Sequence, residues 1–331
     1  MCLVLLGMTG APSRGHAQTS VRLPREDRIR LAEARRLAEK VCERIWPGWG
    51  HTAFPILLVS DSAEFLVGHR PPAGEFAALG YDAIIRSEVW SRARQFPPTL
   101  LATFPAVGGM PTVVIGRPAR TGKPSTSWVL TLLHEHFHQW QYSQPDYYAG
   151  VSRLQLARGD TTGRWMLEYP FPYDSPPVQR AMRSLAIALA RALDAPPDAR
   201  VESLRAVVHA RDALRHRLSA ADYRYFEFQL WQEGVARFIE YAVARAAADT
   251  GEPSAEFQRL VDYEPYSRAA HNAPRAMRQE LERLDLAQSR RVAFYPIGAA
   301  VALLLERTRD DWKQAYALRP YALAVLLSAD W

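Results

Sequence analysis

The chain has 331 residues, of which 48% are hydrophobic and 23% charged, and its formal net charge is +6. That length accommodates one large domain or two packed lobes, and the composition is ordinary for a soluble globular protein. The arginines are spread along amphipathic stretches such as Arg28–Arg44 and Arg180–Arg217. This is the pattern of solvated helix faces, which argues against a nucleic-acid partner, and no internal repeat, P-loop or GxGxxG accompanies it.

In chain order, Cys2-Leu-Val-Leu-Leu-Gly-Met8 is a short apolar core, and Gly15-His-Ala17 ahead of Gln18 resembles a small-residue cleavage site. Residues 1–17 are therefore expected to be a signal peptide, although no positive charge precedes the core, and the protein to be secreted or periplasmic. The core is too short to span a bilayer, and no other stretch is long and apolar enough for a stable membrane span. Cleavage would leave Cys42 as the sole cysteine and allow no intrachain disulfide. Cys42 belongs to a helix predicted over residues 26–46, whose apolar stripe includes Leu31, Ala34, Ala38, Val41 and Ile45. Phe54–Ser60 and Pro111–Gly116 read as strands, with a weaker one around Tyr81–Arg86.

Residues 134–138 read His-Glu-His-Phe-His and match HExxH, the zinc-hydrolase motif. They lie in Trp128–Tyr142, where Val129, Leu133, Phe137 and Trp140 recur at helical spacing, after a polar segment, Thr121–Ser127, rich in possible caps. On a helix, His134 and His138 are about 40° apart on one face and one turn apart, so both imidazoles can reach one metal ion. Glu135 is displaced by about 100° and can flank the metal without binding it. His136 is roughly 200° from His134 and is expected to point away.

A zinc site with two histidines needs a third protein ligand. The candidate is Glu233 in Trp231-Gln-Glu233-Gly-Val-Ala-Arg-Phe-Ile-Glu240-Tyr241, where Gly234 leaves room for another helix. Glu240 falls within about 20° of Glu233 on the same face and is a candidate partner for the outer nitrogen of a zinc-bound histidine. The alternative is an exposed Glu233–Arg237 pair with Glu240 solvated. Residues 144–179 form the least regular stretch, and its aromatics, Tyr147 and Tyr148 among them, suit either a groove wall or packing. Helices are predicted over roughly 178–193, 200–217, 220–248, 272–288 and 297–308.

HExxH followed by Gln139-Trp140, then a segment reading EGxAxFxEY, resembles the gluzincin metallopeptidases, especially the aminopeptidase-N-like branch. Phe294-Tyr295-Pro-Ile-Gly298-Ala299 is similar to the Y-x-x-G-A segment that carries that branch's catalytic tyrosine. The resemblance covers residues 126–142, 231–241 and 294–306. It implies Zn2+ held by His134, His138 and Glu233, with Glu135 as general base on the metal's water and Tyr295 as oxyanion donor. His209, His216 and His271 are rival donors, because thermolysin-like enzymes use a histidine. The implied fold is α+β and zincin-like. A small mixed sheet in an N-terminal lobe (18–125) would carry an edge strand over the cleft, and a mostly helical catalytic lobe (126–331) would carry the metal. The strand at 111–116, just ahead of the metal helix, is the expected edge strand for an extended peptide.

The chain departs from the branch in three respects. The gap between HExxH and Glu233 is longer, Gln232 stands in place of asparagine, and Gly108-Gly-Met-Pro-Thr112 lacks the acid of a GAMEN-type segment. With no acid to hold a substrate's amino terminus, the expectation is a zinc endopeptidase acting on peptide or protein substrates. The alternatives are a hydrolase of a non-peptide amide or ester and a non-catalytic binding protein that keeps the fold. Intact Glu135 argues against the last of these.

Overall fold

A computed structural model describes residues 22–328, so the expected signal peptide lies outside the described residues. The fold is α+β, with a six-stranded mixed sheet and a mostly helical remainder. The strands are β1 (Ile56–Val59), β2 (Ala63–Val67), β3 (Ala77–Asp82), β4 (Ser87–Ala93), β5 (Leu101–Val107) and β6 (Met110–Gly116). The helices before residue 250 are α1 (Arg25–Ile45), α2 (Pro118–Thr121), α3 (Ser125–Ser143), α4 (Tyr147–Arg153), α5 (Trp165–Glu168), α6 (Pro176–Asp194), α7 (Arg200–Arg215), α8 (Ala220–Gln229) and α9 (Val235–Asp249). Beyond it come α10 (Ala255–Gln258), α11 (Tyr266–Glu282), α12 (Leu286–Ser289), α13 (Phe294–Thr308) and α14 (Trp312–Leu318).

The sheet order is β3-β4-β2-β1-β6-β5, with β1 parallel to β6 and every other pair antiparallel. Alternation along the strands fills both faces. Ile56, Leu58, Phe65, Val67, Val113 and Ile115 join the main core shared with the helices, whereas Leu57, Val59, Leu66 and Val114 meet Trp90, Phe96 and Phe104 on the other side. Cys42 is buried in the main core, as its place on the apolar stripe of α1 predicts.

The strand expected at the edge of the sheet is an inner one. The strand at 111–116 is β6, which is paired on both sides, by β1 and by β5. The edge beside α3 is β5, which the sequence pattern hid because Pro105 interrupts it and its apolar residues do not alternate cleanly. The Gly116 N–H bonds the Leu100 carbonyl, so Ala102 and Phe104 bond inward to β6, while Leu101 and Thr103 face the open edge.

Helix α3 is buried along nearly its whole length, including Val129, Leu133, Phe137 and Trp140. No local side chain caps it. Instead, Asp262, far along the chain, accepts the Ser125 N–H at 3.0 Å, placing a carboxylate at the helix N-terminus where the macrodipole favours it. Gln139 donates to the carbonyls of Pro55 and Pro111, both at 3.0 Å, and so fixes α3 against β1 and β6. Among the described residues no helix is long and apolar enough to cross a membrane.

Candidate metal centre

The HExxH helix brings His134, Glu135 and His138 together, all buried, with candidate ligand atoms within 4.8 Å of one another. The third corner comes from a break in helical register. Helices α8 and α9 run on through a π-helical turn, Leu230–Gly234, which carries Glu233. Single π turns within α-helices recur at functional sites, because the extra residue re-aims side chains and loosens backbone carbonyls. Here the Trp231 carbonyl accepts from Gln141 Nε2 at 3.1 Å and from the Tyr316 hydroxyl at 2.9 Å, and the Gln232 carbonyl accepts from Gln141 Nε2 at 3.1 Å.

His134 Nε2 and His138 Nε2 are 3.2 Å apart, and Glu233 Oε2 lies 3.7 Å from the first and 3.5 Å from the second. Four-coordinate zinc with bonds of about 2.0–2.1 Å has ligand–ligand edges of about 3.3–3.4 Å, so the triangle has the size of one face of such a tetrahedron. Glu135 also falls within the cluster's span, but its Oε2 accepts the Thr103 hydroxyl at 2.8 Å. Glu233, whose Oε2 faces both imidazole nitrogens, is the better third ligand.

The outer ring nitrogens fix the tautomers. His134 Nδ1 lies 2.9 Å from Glu240 Oε1, a contact in which only the nitrogen can donate to an ionised carboxylate. His138 Nδ1 lies 2.6 Å from Gln141 Oε1, and the Gln141 amide is oriented by the carbonyls its nitrogen serves. Gln232 Nε2 is also within 3.0 Å of this Nδ1, while its Oε1 accepts from the Tyr147 hydroxyl. Assigning the Nδ1 proton to the 2.6 Å contact leaves Nε2 of both rings with lone pairs turned toward one point. Two lone pairs and a carboxylate oxygen at this spacing repel one another unless a cation sits between them, so the donor set fits a divalent metal.

Without metal, a proton takes that place. Burial opposes charge on His134, yet Glu233 and Glu240 outweigh it and raise the imidazole to about 10. Burial likewise works against Glu233, but hydrogen bonds from the two histidines and the charge of Arg291 hold it well below the usual carboxylate range. Glu240, also opposed by burial, is brought down to about 2 by Arg237 and His134. The exposed Glu233–Arg237 alternative is therefore not what forms. Arg237 bonds Glu240 at 2.8 Å, whereas Glu233 pairs with Arg291.

Tyr295, at the start of α13, lies beside this cluster, its ring parallel to His134 at 6.3 Å between centroids. Burial and the charge of Glu233 push its phenol up, so it remains a protonated donor. His136, as expected, faces the other way: it stacks on Phe54 at 3.9 Å, and its Nδ1 lies 2.8 Å from Gln139 Oε1. Burial lowers it to about 4, which keeps it neutral. His209, His216 and His271 are exposed, and none bonds a residue of the cluster.

Thr103, Gln141 and Arg291 were not legible as site residues in the sequence. Thr103 sits on the unrecognised strand β5, and its hydroxyl also reaches the Glu135 carbonyl at 3.0 Å. Arg291 enters from a short 3-10 turn, Arg290–Ala293, after Arg290 at φ +49°. A non-glycine residue in that region costs about 1–3 kcal/mol, and such strain clusters at functional sites. Of the loop aromatics, Tyr147 is packed inside, and Tyr148 is exposed, stacked parallel to Tyr142 at 6.3 Å. In comparisons with known proteins, no family model, no curated protein and no solved structure matches this chain.

Proposed function

We propose that the protein is a zinc-dependent peptide hydrolase of gluzincin type, with a zincin-like fold and endopeptidase specificity, acting outside the cytoplasm. The observation that carries this reading is the triangle of His134 Nε2, His138 Nε2 and Glu233 Oε2, with edges of 3.2, 3.7 and 3.5 Å. Beside it, Glu135 is held by Thr103 rather than turned in as a ligand. A purely structural site closes all four positions with protein ligands; this one offers three and a free carboxylate.

Zinc in such a site supplies Lewis-acid polarisation of a carbonyl and acidifies a water. Glu135 then takes a proton from the attacking water and returns it to the leaving amine, and the Thr103 hydroxyl orients its carboxylate for both transfers. The Tyr295 phenol donates to the developing oxyanion, a contribution of about 3–4 kcal/mol in comparable sites. The open edge of β5 at Leu101 and Thr103 suits an extended peptide added as a further strand. The Thr103 carbonyl already accepts the Tyr142 hydroxyl at 3.2 Å, which ties that edge to the metal helix.

Two acids of the irregular stretch 144–179 that could hold a substrate's amino terminus are paired at the surface instead, Glu168 with Arg164 at 2.6 Å and Asp174 with Arg290 at 2.7 Å. Internal cleavage follows. The test is a peptide-library digest by the purified protein loaded with zinc, run with Glu135→Gln and with acetylated twins of every cleaved peptide. Cleavage should be insensitive to acetylation and abolished in Glu135→Gln at unchanged zinc content. No cleavage of any peptide refutes peptidase activity, and loss on acetylation refutes the endopeptidase assignment.

A further inference from the structure

Arg291 touches both groups that complete the centre. Its Nη1 donates to Glu233 Oε1 at 3.1 Å and to the Tyr295 hydroxyl at 2.8 Å, and its guanidinium carbon lies 5.3 Å from the centroid of the Tyr295 ring. Glu233 thus has its two oxygens assigned to different tasks: Oε1 to the guanidinium, Oε2 to the imidazole nitrogens.

We propose that Arg291 is a positioning residue, which restricts Glu233 to ligation through one oxygen and sets the Tyr295 phenol beside the same metal. The inference rests on the metal reading above. A carboxylate can bind a metal through one oxygen or two, and the second oxygen of Glu233 would fill the position a catalytic site must keep open. A charge-assisted hydrogen bond withholds it. Arginine suits this task because its guanidinium stays charged at every working pH and offers several donors in a fixed plane, so one side chain serves two acceptors. Because the phenol oxygen accepts from Arg291, its own O–H is turned away from the guanidinium, and in the metal-free fold Glu233 is the acceptor beside it.

The experiment uses cobalt(II) in place of zinc in the full chain, since the intensity of its visible bands falls as coordination number rises. Arg291→Met keeps much of the length and packing over Tyr295 but removes both hydrogen bonds; Tyr295→Phe removes the phenol alone. The parent and Tyr295→Phe should give the same intense bands. Folded Arg291→Met should take up cobalt and give weaker bands, as Glu233 turns both oxygens to the metal, and loss of uptake in the folded variant overturns the proposal. A parent-like spectrum at parent stoichiometry in folded Arg291→Met overturns the proposal. A parent that takes up no cobalt overturns the metal reading itself, and this inference with it. Arg291→Leu, judged by the same outcomes, replaces the methionine variant if that one does not fold.

Discussion

Gly234 and Gly298 meet backbone to backbone: a Cβ on Gly234 would stand 2.4 Å from the Gly298 Cα, and one on Gly298 would stand 2.6 Å from the Gly234 Cα. Helix α13 therefore crosses the π turn with no side chain between them. Glu233 precedes one glycine, and Tyr295 lies one turn before the other, so the close approach sets the spacing of the Glu233 carboxylate and the Tyr295 phenol.

Alanine at either glycine should force these segments apart. Overpacking of a close backbone contact costs about 1–3 kcal/mol, and here the displacement falls on Glu233 as well. Gly234→Ala and Gly298→Ala should each lower the melting temperature and weaken zinc binding together, as read by thermal denaturation with and without a chelator. Parent-like melting in both conditions would show that the crossing tolerates a methyl group and that the spacing is set elsewhere.

Glu240 acts at one remove. It accepts the Nδ1 proton of His134 at 2.9 Å and is held in turn by Arg237 at 2.8 Å. Loss of such a partner usually lowers metal affinity by about 10–100-fold. Glu240→Ala should show that weakening in a competition titration against a chromophoric chelator, while saturating zinc restores hydrolysis. Affinity equal to the parent's would return Glu240 to a surface ion-pair role.

The raised pKa of His134 gives a pH dependence with a definite sign. In the metal-free fold, burial opposes its charge but the two glutamates raise it to about 10; in the unfolded chain it sits at about 6.5. A group raised in the folded state contributes stability that is fully present below the unfolded value and lost as pH climbs through the folded one. The metal-free protein should therefore lose stability between about pH 6.5 and 10, measured by denaturant titration, more steeply than metal-free His134→Gln. The same proton must leave when a metal binds, so zinc uptake at neutral pH should release it. Calorimetry in buffers of different ionisation enthalpy detects that release, and its absence would contradict the assignment of His134 as the protonated group.

Helix α3 was legible because its five-residue motif sits on a periodic apolar segment with a polar start. Glu240 could be read as a neighbour of Glu233 because seven residues keep both on one face, and the π turn that carries Glu233 ends at Gly234, so the rest of that stretch is regular α9. Gly234 could be read as leaving room for another helix, and the segment that fills that room is α13 at Gly298. The sheet was harder to read. β2 is short, β3 and β4 form a hairpin around the turn that resembled a weak strand, and β5 carries Pro105. Thr103 was lost with β5. Gln141 and Arg291 act through contacts distant in sequence, with the Trp231 and Gln232 carbonyls and with Glu233, which no local pattern encodes. The N-terminus of α3 shows the same limit, since its carboxylate arrives from Asp262.

The most direct test of the central claim is the zinc content of the purified protein and four single variants, measured by elemental analysis after dialysis against trace zinc. The parent and His136→Ala, which loses only the ring stacked on Phe54, should each hold one zinc per chain. Zinc should be sharply reduced in His134→Ala, His138→Ala and Glu233→Ala, each of which removes a corner of the triangle. A parent without zinc, or Glu233→Ala holding as much as the parent, would contradict that claim.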